Sequence, residues 1–256
     1  MNVRFWGCRG SLPRSRPDMI RYGGNTPCVQ VTSAAGTLLA LDMGSGAQDM
    51  GQDILDRGVH RQGAVLVTHT HWDHIQGFPF FSPLFRKGSQ WEVYGPRGLG
   101  ASLRETLAGQ MQSTYFPITL ETMAADIRYH DLVEGVFDVG DIHIQAQYLN
   151  HTALTLGYRL EADGVTVVYA TDHEPFESRL GVEGYQPSSR EDERHMAFVA
   201  GADLLIHDAQ YTAEEYPAKR GWGHSSIEYV VDLALAGKVR RLALFHHDQL
   251  RTDDAI

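Results

Sequence analysis

Cysteine is nearly absent: Cys8 and Cys28 are the only two in 256 residues. Two thiols cannot make a disulfide framework, so both read as small buried or half-buried groups in a reducing compartment. Long apolar runs are missing as well. No stretch reaches the roughly 18 apolar residues that mark a spanning helix. The opening Met1-Asn2-Val3-Arg4-Phe5-Trp6 has no signal-peptide core. The expectation is a cytoplasmic protein with no membrane partner. Positive charge is scarce, with 22 Lys and Arg against 32 Asp and Glu and a net charge of −10. A protein that coats nucleic acid needs the opposite balance, because lysine and arginine must displace counterions from phosphates. No short-period repeat or low-complexity linker occurs, and the Gly/Pro/Ser-rich segment 181–190 reads as a surface loop.

What is present is apolar enough to fold. At 43% hydrophobic residues, the chain can bury one large core or two fused halves, and we take residues 1–256 as a single domain. Strand-like runs occur at 2–6, 28–33, 37–41, 64–68, 90–94, 126–130, 135–139, 142–148, 154–160, 165–170, 203–207 and 240–245. Helical patterns fall at 46–57, 97–108, 191–200 and 225–236. The last opens on Ser225-Ser226-Ile227-Glu228, a capping-box pattern, and closes at Gly237. Strands with interspersed helices in both halves predict layered α/β architecture, sheets inside and helices outside. The terminal Thr252-Asp253-Asp254 resembles a helix start, as if the natural protein continued past Ile256.

The most informative stretch is Thr68-His69-Thr70-His71-Trp72-Asp73-His74. It follows Ala64-Val65-Leu66-Val67, which reads as a buried strand, so four ligand-type side chains emerge from a rigid strand end. Imidazole and carboxylate suit zinc, iron or manganese, and the lack of cysteine argues against a closed structural zinc site. Further candidates end other strands: His151 after 142–148, Asp172 after 165–170 and His246 after 240–245. Each alone is explained by a turn or a surface imidazole; together they form a ligand set. Trp72 reads as an aromatic packed under the histidine loop, Phe78-Pro79-Phe80-Phe81 as core, and the glycines at 7, 10, 23, 24, 44 and 46 as tight turns.

These segments resemble the metallo-β-lactamase-fold hydrolases over nearly the whole chain. The phosphodiesterase branch is nearest, with tRNase Z, the phosphonate-pathway cyclic phosphodiesterases and bacterial cyclic-nucleotide phosphodiesterases. The resemblance is carried by Trp6-Gly7-Cys8-Arg9-Gly10-Ser11-Leu12-Pro13 with Tyr22-Gly23-Gly24-Asn25-Thr26, by Leu41-Asp42-Met43-Gly44-Ser45-Gly46, and by the histidine loop. Asn150-His151, Gly157-Tyr158-Arg159, Asp172 and His207-Asp208-Ala209 through His246 complete it. It implies a four-layer αββα sandwich and two divalent metal ions, zinc first, with manganese or iron as alternatives. His69, His71 and His151 would hold one ion; Asp73, His74 and His246 the second; Asp172 would bridge them. His246 is preferred to His247 because it directly follows the final strand. Asp42 would support the histidine loop. A water between two cations becomes hydroxide near neutrality, and Asp73 would orient that nucleophile. Asp208, where tRNase Z carries Glu, and His224 match an acid–histidine pair that protonates a leaving oxygen.

The expected function is hydrolysis of a small anionic phosphodiester, a cyclic nucleotide or cyclic sugar phosphate. tRNase Z usually carries a tRNA-gripping arm between the Gly-Tyr-Arg strand and the bridging Asp; here only twelve residues separate Arg159 from Asp172, enough for a hairpin around Asp163-Gly164. Alternatives are an RNA-processing nuclease lacking the arm, a thioesterase or lactonase on the same scaffold, and a non-catalytic metal- or nucleotide-binding sensor. A homodimer is compatible with the sequence.

Overall fold

The computed structural model describes residues 1–58, 61–176 and 189–256, so the loop expected at 181–190 lies, up to residue 188, outside the described residues. The chain divides into two compact units, Met1–Val133 with Thr252–Ala255, and Glu134–Arg251 with Ile256.

The first unit carries β1 (Asn2–Gly7), β2 (Cys28–Thr32), β3 (Leu38–Leu41), β4 (Gln62–Leu66), β5 (Gln90–Pro96) and β6 (Asp126–Leu132), hydrogen-bonded in that order. The β1, β2 and β3 neighbours pair antiparallel, and β3 through β6 are parallel. Parallel neighbours need crossovers. α1 (Ala47–Arg57) supplies the one between β3 and β4, burying Ala47, Met50, Gly51 and Ile54 at helical spacing and ending on Gly58 in the left-handed region, φ 64°. Its stripe joins a core with Val65, Val93, Trp91, Phe78 and Phe81. α2 (Trp72–Ile75) is one turn within the histidine loop, and α3 (Leu103–Gly109) packs near β5 and β6.

The second unit repeats the plan. β7 (Gly135–Val139), β8 (Ile142–Leu149), β9 (Thr155–Ala162) and β10 (Val165–Ala170) form an antiparallel run, and β10, β11 (Leu204–Asp208) and β12 (Leu242–Phe245) are parallel. α4 (Arg190–Val199) and α5 (Ile227–Ala236) are its crossovers, packed over Val168, Ala170 and Leu205. Two mixed sheets, each flanked by helices, match the α/β reading and are consistent with an αββα sandwich of the metallo-β-lactamase type. All twelve expected strands form. Asp163 (φ 55°) and Gly164 (φ 69°) both take positive φ between β9 and β10, as a two-residue type I′ hairpin requires.

Local readings differ at several places. The helix expected at 97–108 starts only at Leu103, because Ser102 caps it: its side chain accepts from Glu105 N, and Glu105 reaches back to Ser102 N. The box expected at Ser225 does not close, and the cap falls one residue later. Ser226 is the N-cap, while Glu228 instead accepts from Ala213 N at 2.7 Å. Thr252–Asp254 start no helix; the Asp253 carboxylate accepts from buried Arg9 and from Arg21 N, both at 2.7 Å. Trp72 is 73% exposed and so is not buried beneath the histidine loop, and Phe80 is exposed while Phe78 and Phe81 are buried. Gly44 serves close approach and not a turn of positive φ: a Cβ there would lie 2.3 Å from Asp73 O. Among the described residues no helix is long and apolar enough to cross a membrane.

Candidate metal centre

In the first unit, β4 delivers the chain to Thr68, and the loop turns into α2 with His71 as its N-cap. Ring centroids of His69 and His71 lie 4.5 Å apart and those of His69 and His74 4.2 Å apart. His74 Nε2 stands 3.5 Å from Asp73 Oδ2. Fully buried Asp42 organises the cluster. His74 Nδ1 donates to its Oδ2 at 2.8 Å, and Thr68 N donates to Oδ1 at 2.7 Å. The Thr68 hydroxyl donates to the same carboxylate and receives His69 Nδ1 at 3.1 Å. Asp73 Oδ2 accepts from Ser11 N at 2.7 Å.

The second unit gathers His151, Asp172, His224 and His246. Ligand atoms of Asp172, His224 and His246 lie within 4.8 Å of one another, as do those of His151 and Asp172. The two oxygens of Asp172 face different imidazoles: Oδ2 is 3.5 Å from His151 Nε2 and Oδ1 is 3.3 Å from His246 Nε2. Each imidazole is held from behind through Nδ1. His151 donates to Gly223 O at 2.8 Å and His246 to Gln210 Oε1 at 2.9 Å. His224 Nδ1 meets Asp208 Oδ2 at 2.9 Å, and that carboxylate also accepts from His173 N and Gln210 N. The support groups fix the tautomer and leave Nε2 as the ligand atom, the arrangement typical of metal-binding histidines. The donor set therefore fits divalent cations. Among the described residues His247 joins none of these ligand groups.

Several residues that organise this half were not singled out from sequence. Buried Glu174 accepts from the Tyr216 hydroxyl and from the N–H groups of Gly221 and Gly223. It thereby shapes the turn that holds His151. Gly223 has φ +86°, and a Cβ there would lie 2.2 Å from His151 Nδ1. Gln210 and Thr68 lie beside motif residues, and their only signal was that adjacency. Behind Asp208 sits a buried imidazole trio. His173 stacks on His195 at 3.8 Å, His195 Nε2 meets His207 Nε2 at 3.0 Å, and His207 Nδ1 donates to Asp208 O at 2.8 Å. Burial, reinforced by neighbouring imidazoles for His173 and His195, lowers the pKa of all three. Burial also pushes the Cys8 thiol up to about 11, so it is no thiolate nucleophile at neutral pH.

The model of the β-lactamase superfamily domain matches residues 48–247. The chain belongs to the β-lactamase superfamily. Its fold is shared with human tRNase Z, a diphosphatase of the PhnP family and yeast PDE1. A ribonuclease Z of Natronomonas pharaonis is 26% identical over 289 residues, covering 96% of this chain and 86% of its own. The short form of human tRNase Z superposes with TM-score 0.69 at 20% identity, covering 97% of this chain and 93% of its own. The metallo-β-lactamase fold protein YhfI of Bacillus subtilis superposes with TM-score 0.67 at 18% identity, covering 99% and 88%.

Proposed function

We propose that the chain is a metal-dependent hydrolase that cleaves a small phosphodiester, a cyclic nucleotide or cyclic sugar phosphate. The reading rests on superfamily membership and on two ligand clusters able to take divalent ions. By the family resemblance, His69, His71, Asp73 and His74 of the first unit and His151, Asp172 and His246 of the second would be the metal ligands. Zinc, manganese and iron all suit this donor set. When bound, the ions acidify water and neutralise phosphoryl oxygens.

The protein's own groups do the rest. Asp73, fixed by Ser11 N, orients the attacking water. His224 delivers a proton to the leaving oxygen from Nε2, and Asp208 stabilises the imidazolium through Nδ1. His224 lies just before the N-cap of α5, where the helix dipole disfavours a cation; the Asp208 carboxylate at 2.9 Å offsets that. This pair beside the Asp172 and His246 ligands is the observation that carries the phosphodiester reading.

RNA processing is the second reading, favoured by the similarity to ribonuclease Z. The two-residue β9–β10 connection has no room for a tRNA-gripping arm, and the acidic balance weighs the same way. The test is hydrolysis of bis(p-nitrophenyl) phosphate with Mn²⁺ or Zn²⁺, beside cyclic nucleotides, cyclic ribose phosphate, RNA and thioesters. Turnover lost in Asp73→Ala supports the proposal. No phosphodiester turnover in protein shown to hold two ions overturns it, and a preference for thioesters moves the assignment to acyl transfer. Nucleotide binding without turnover, unchanged in Asp73→Ala, points to a sensor.

A further inference from the structure

A cavity of about 300 Å³ opens in the second unit beside His151. That is the lower end of the range for small-molecule sites, roughly 300–1,000 Å³. Its walls combine three kinds of group. Phe176 contributes a ring that is 40% exposed, an uncovered aromatic surface at the cavity edge. Arg220 contributes an exposed guanidinium that hydrogen-bonds the Tyr216 side chain and has further N–H donors to offer. Asn150 contributes an amide whose orientation is fixed: its nitrogen donates to Glu174 O at 2.9 Å and reaches Pro175 O at 3.5 Å. The side-chain oxygen of Asn150 is thus the acceptor it can offer a ligand. The carboxylate of Glu174 is already committed to Tyr216, Gly221 and Gly223, so it does not repel an anionic ligand as a bare charge would.

We propose that this cavity is a nucleobase subsite, which makes the substrate a nucleotide phosphodiester and not a base-free sugar phosphate. The proposal rests on the phosphodiesterase reading for its link to catalysis. The chemistry follows from the walls. A base presents a flat π-face and polar edges; the face suits the Phe176 ring, and the edges suit a guanidinium donor and an amide acceptor. A bare ribose phosphate has no face for Phe176 and no base edge for Asn150 and Arg220. The adjoining His151 puts a bound nucleotide's phosphate next to the ligand set.

The test is calorimetric titration of the metal-loaded protein with adenosine 5′-monophosphate, guanosine 5′-monophosphate and ribose 5-phosphate. The expected result is that at least one nucleotide binds about 10-fold or more tightly than ribose 5-phosphate. Phe176→Ala cuts that advantage by about 5- to 150-fold or to parity, the range of a lost base–aromatic stack. Arg220→Gln, an exposed position with little bearing on folding, narrows it as well. Equal affinity for all three ligands in the wild type overturns the proposal, as does an advantage untouched in both variants. The failures are separable. Base-dependent binding without phosphodiester turnover leaves the subsite standing and removes the function, whereas turnover with no base dependence does the reverse.

Discussion

His195 makes the stability of this fold sensitive to mild acid. It is 1% exposed, stacked on His173 and hydrogen-bonded to His207. His207 spends its Nδ1 proton on Asp208 O, so in its neutral form Nε2 must accept, and His195 Nε2 donates. A second proton on His195 would sit at Nδ1, a buried atom with no hydrogen-bond partner among the described residues. Burial first, and His207 second, hold its pKa well below 6.5. In the unfolded chain the same imidazole titrates near 6.5. Below that pH the unfolded state binds the extra proton, so stability falls as pH falls and is fully present above it. Between pH 7.5 and 5.5 one such histidine removes about 1.4 kcal/mol. Replacing His195 by Leu carries a separate cost of about 1–3 kcal/mol, because His207 Nε2 loses its donor; that cost is common to both pH values. Urea unfolding of wild type and His195→Leu, with chelator throughout, isolates the difference. The wild type should lose about 1.4 kcal/mol more than the variant on acidification. A pH response that agrees within about 0.5 kcal/mol, the ordinary error of additivity, would refute the accounting.

Asp208→Asn keeps the shape but removes the charge that stabilises protonated His224, so kcat should drop about 100-fold or more with little change in metal content, read by steady-state kinetics and elemental analysis. Gly223→Ala drives a Cβ into His151 in a left-handed backbone, and zinc titration should show one of two sites weakened. Thr68→Val cuts the link from His69 to Asp42, which should lower metal affinity about 10- to 100-fold. Ile54→Ala, in the buried stripe of α1, should destabilise by about 2–5 kcal/mol in urea without altering the metal count.

Period-two runs and apolar strands revealed every strand among the described residues, because a half-buried sheet face writes alternation directly into the chain. Helix starts were less legible. Ser102 and Ser226 each cap by bonding a backbone N–H three residues on, and several nearby serines and glycines satisfy the same pattern on paper. The ligand candidates were visible because chemistry restricts metal sites to few residue types. Their supports were not: Glu174 holds its turn by accepting backbone N–H groups from residues 47 and 49 positions away, and a carboxylate that bonds backbone leaves no constraint on its partners' side chains. Trp72 defeated the rule that large aromatics are buried, since its loop is anchored by Asp42 and needs no packing beneath it.

Asp42, Asp172 and His246 follow the ends of β3, β10 and β12, and all three occupy the left-handed region, with φ of 57°, 59° and 56°. For side chains with a Cβ that conformation costs on the order of 1–3 kcal/mol each, against a total stability of about 5–15 kcal/mol for a folded domain. Glycine takes the same angles freely. At position 42 glycine would strand the buried donors Thr68 N and His74 Nδ1, a cost of about 1–3 kcal/mol that cancels the backbone relief. At 172 and 246 the same exchange would relieve the backbone and remove a proposed ligand, so selection for heat resistance alone should erode those two positions unless turnover is screened beside it.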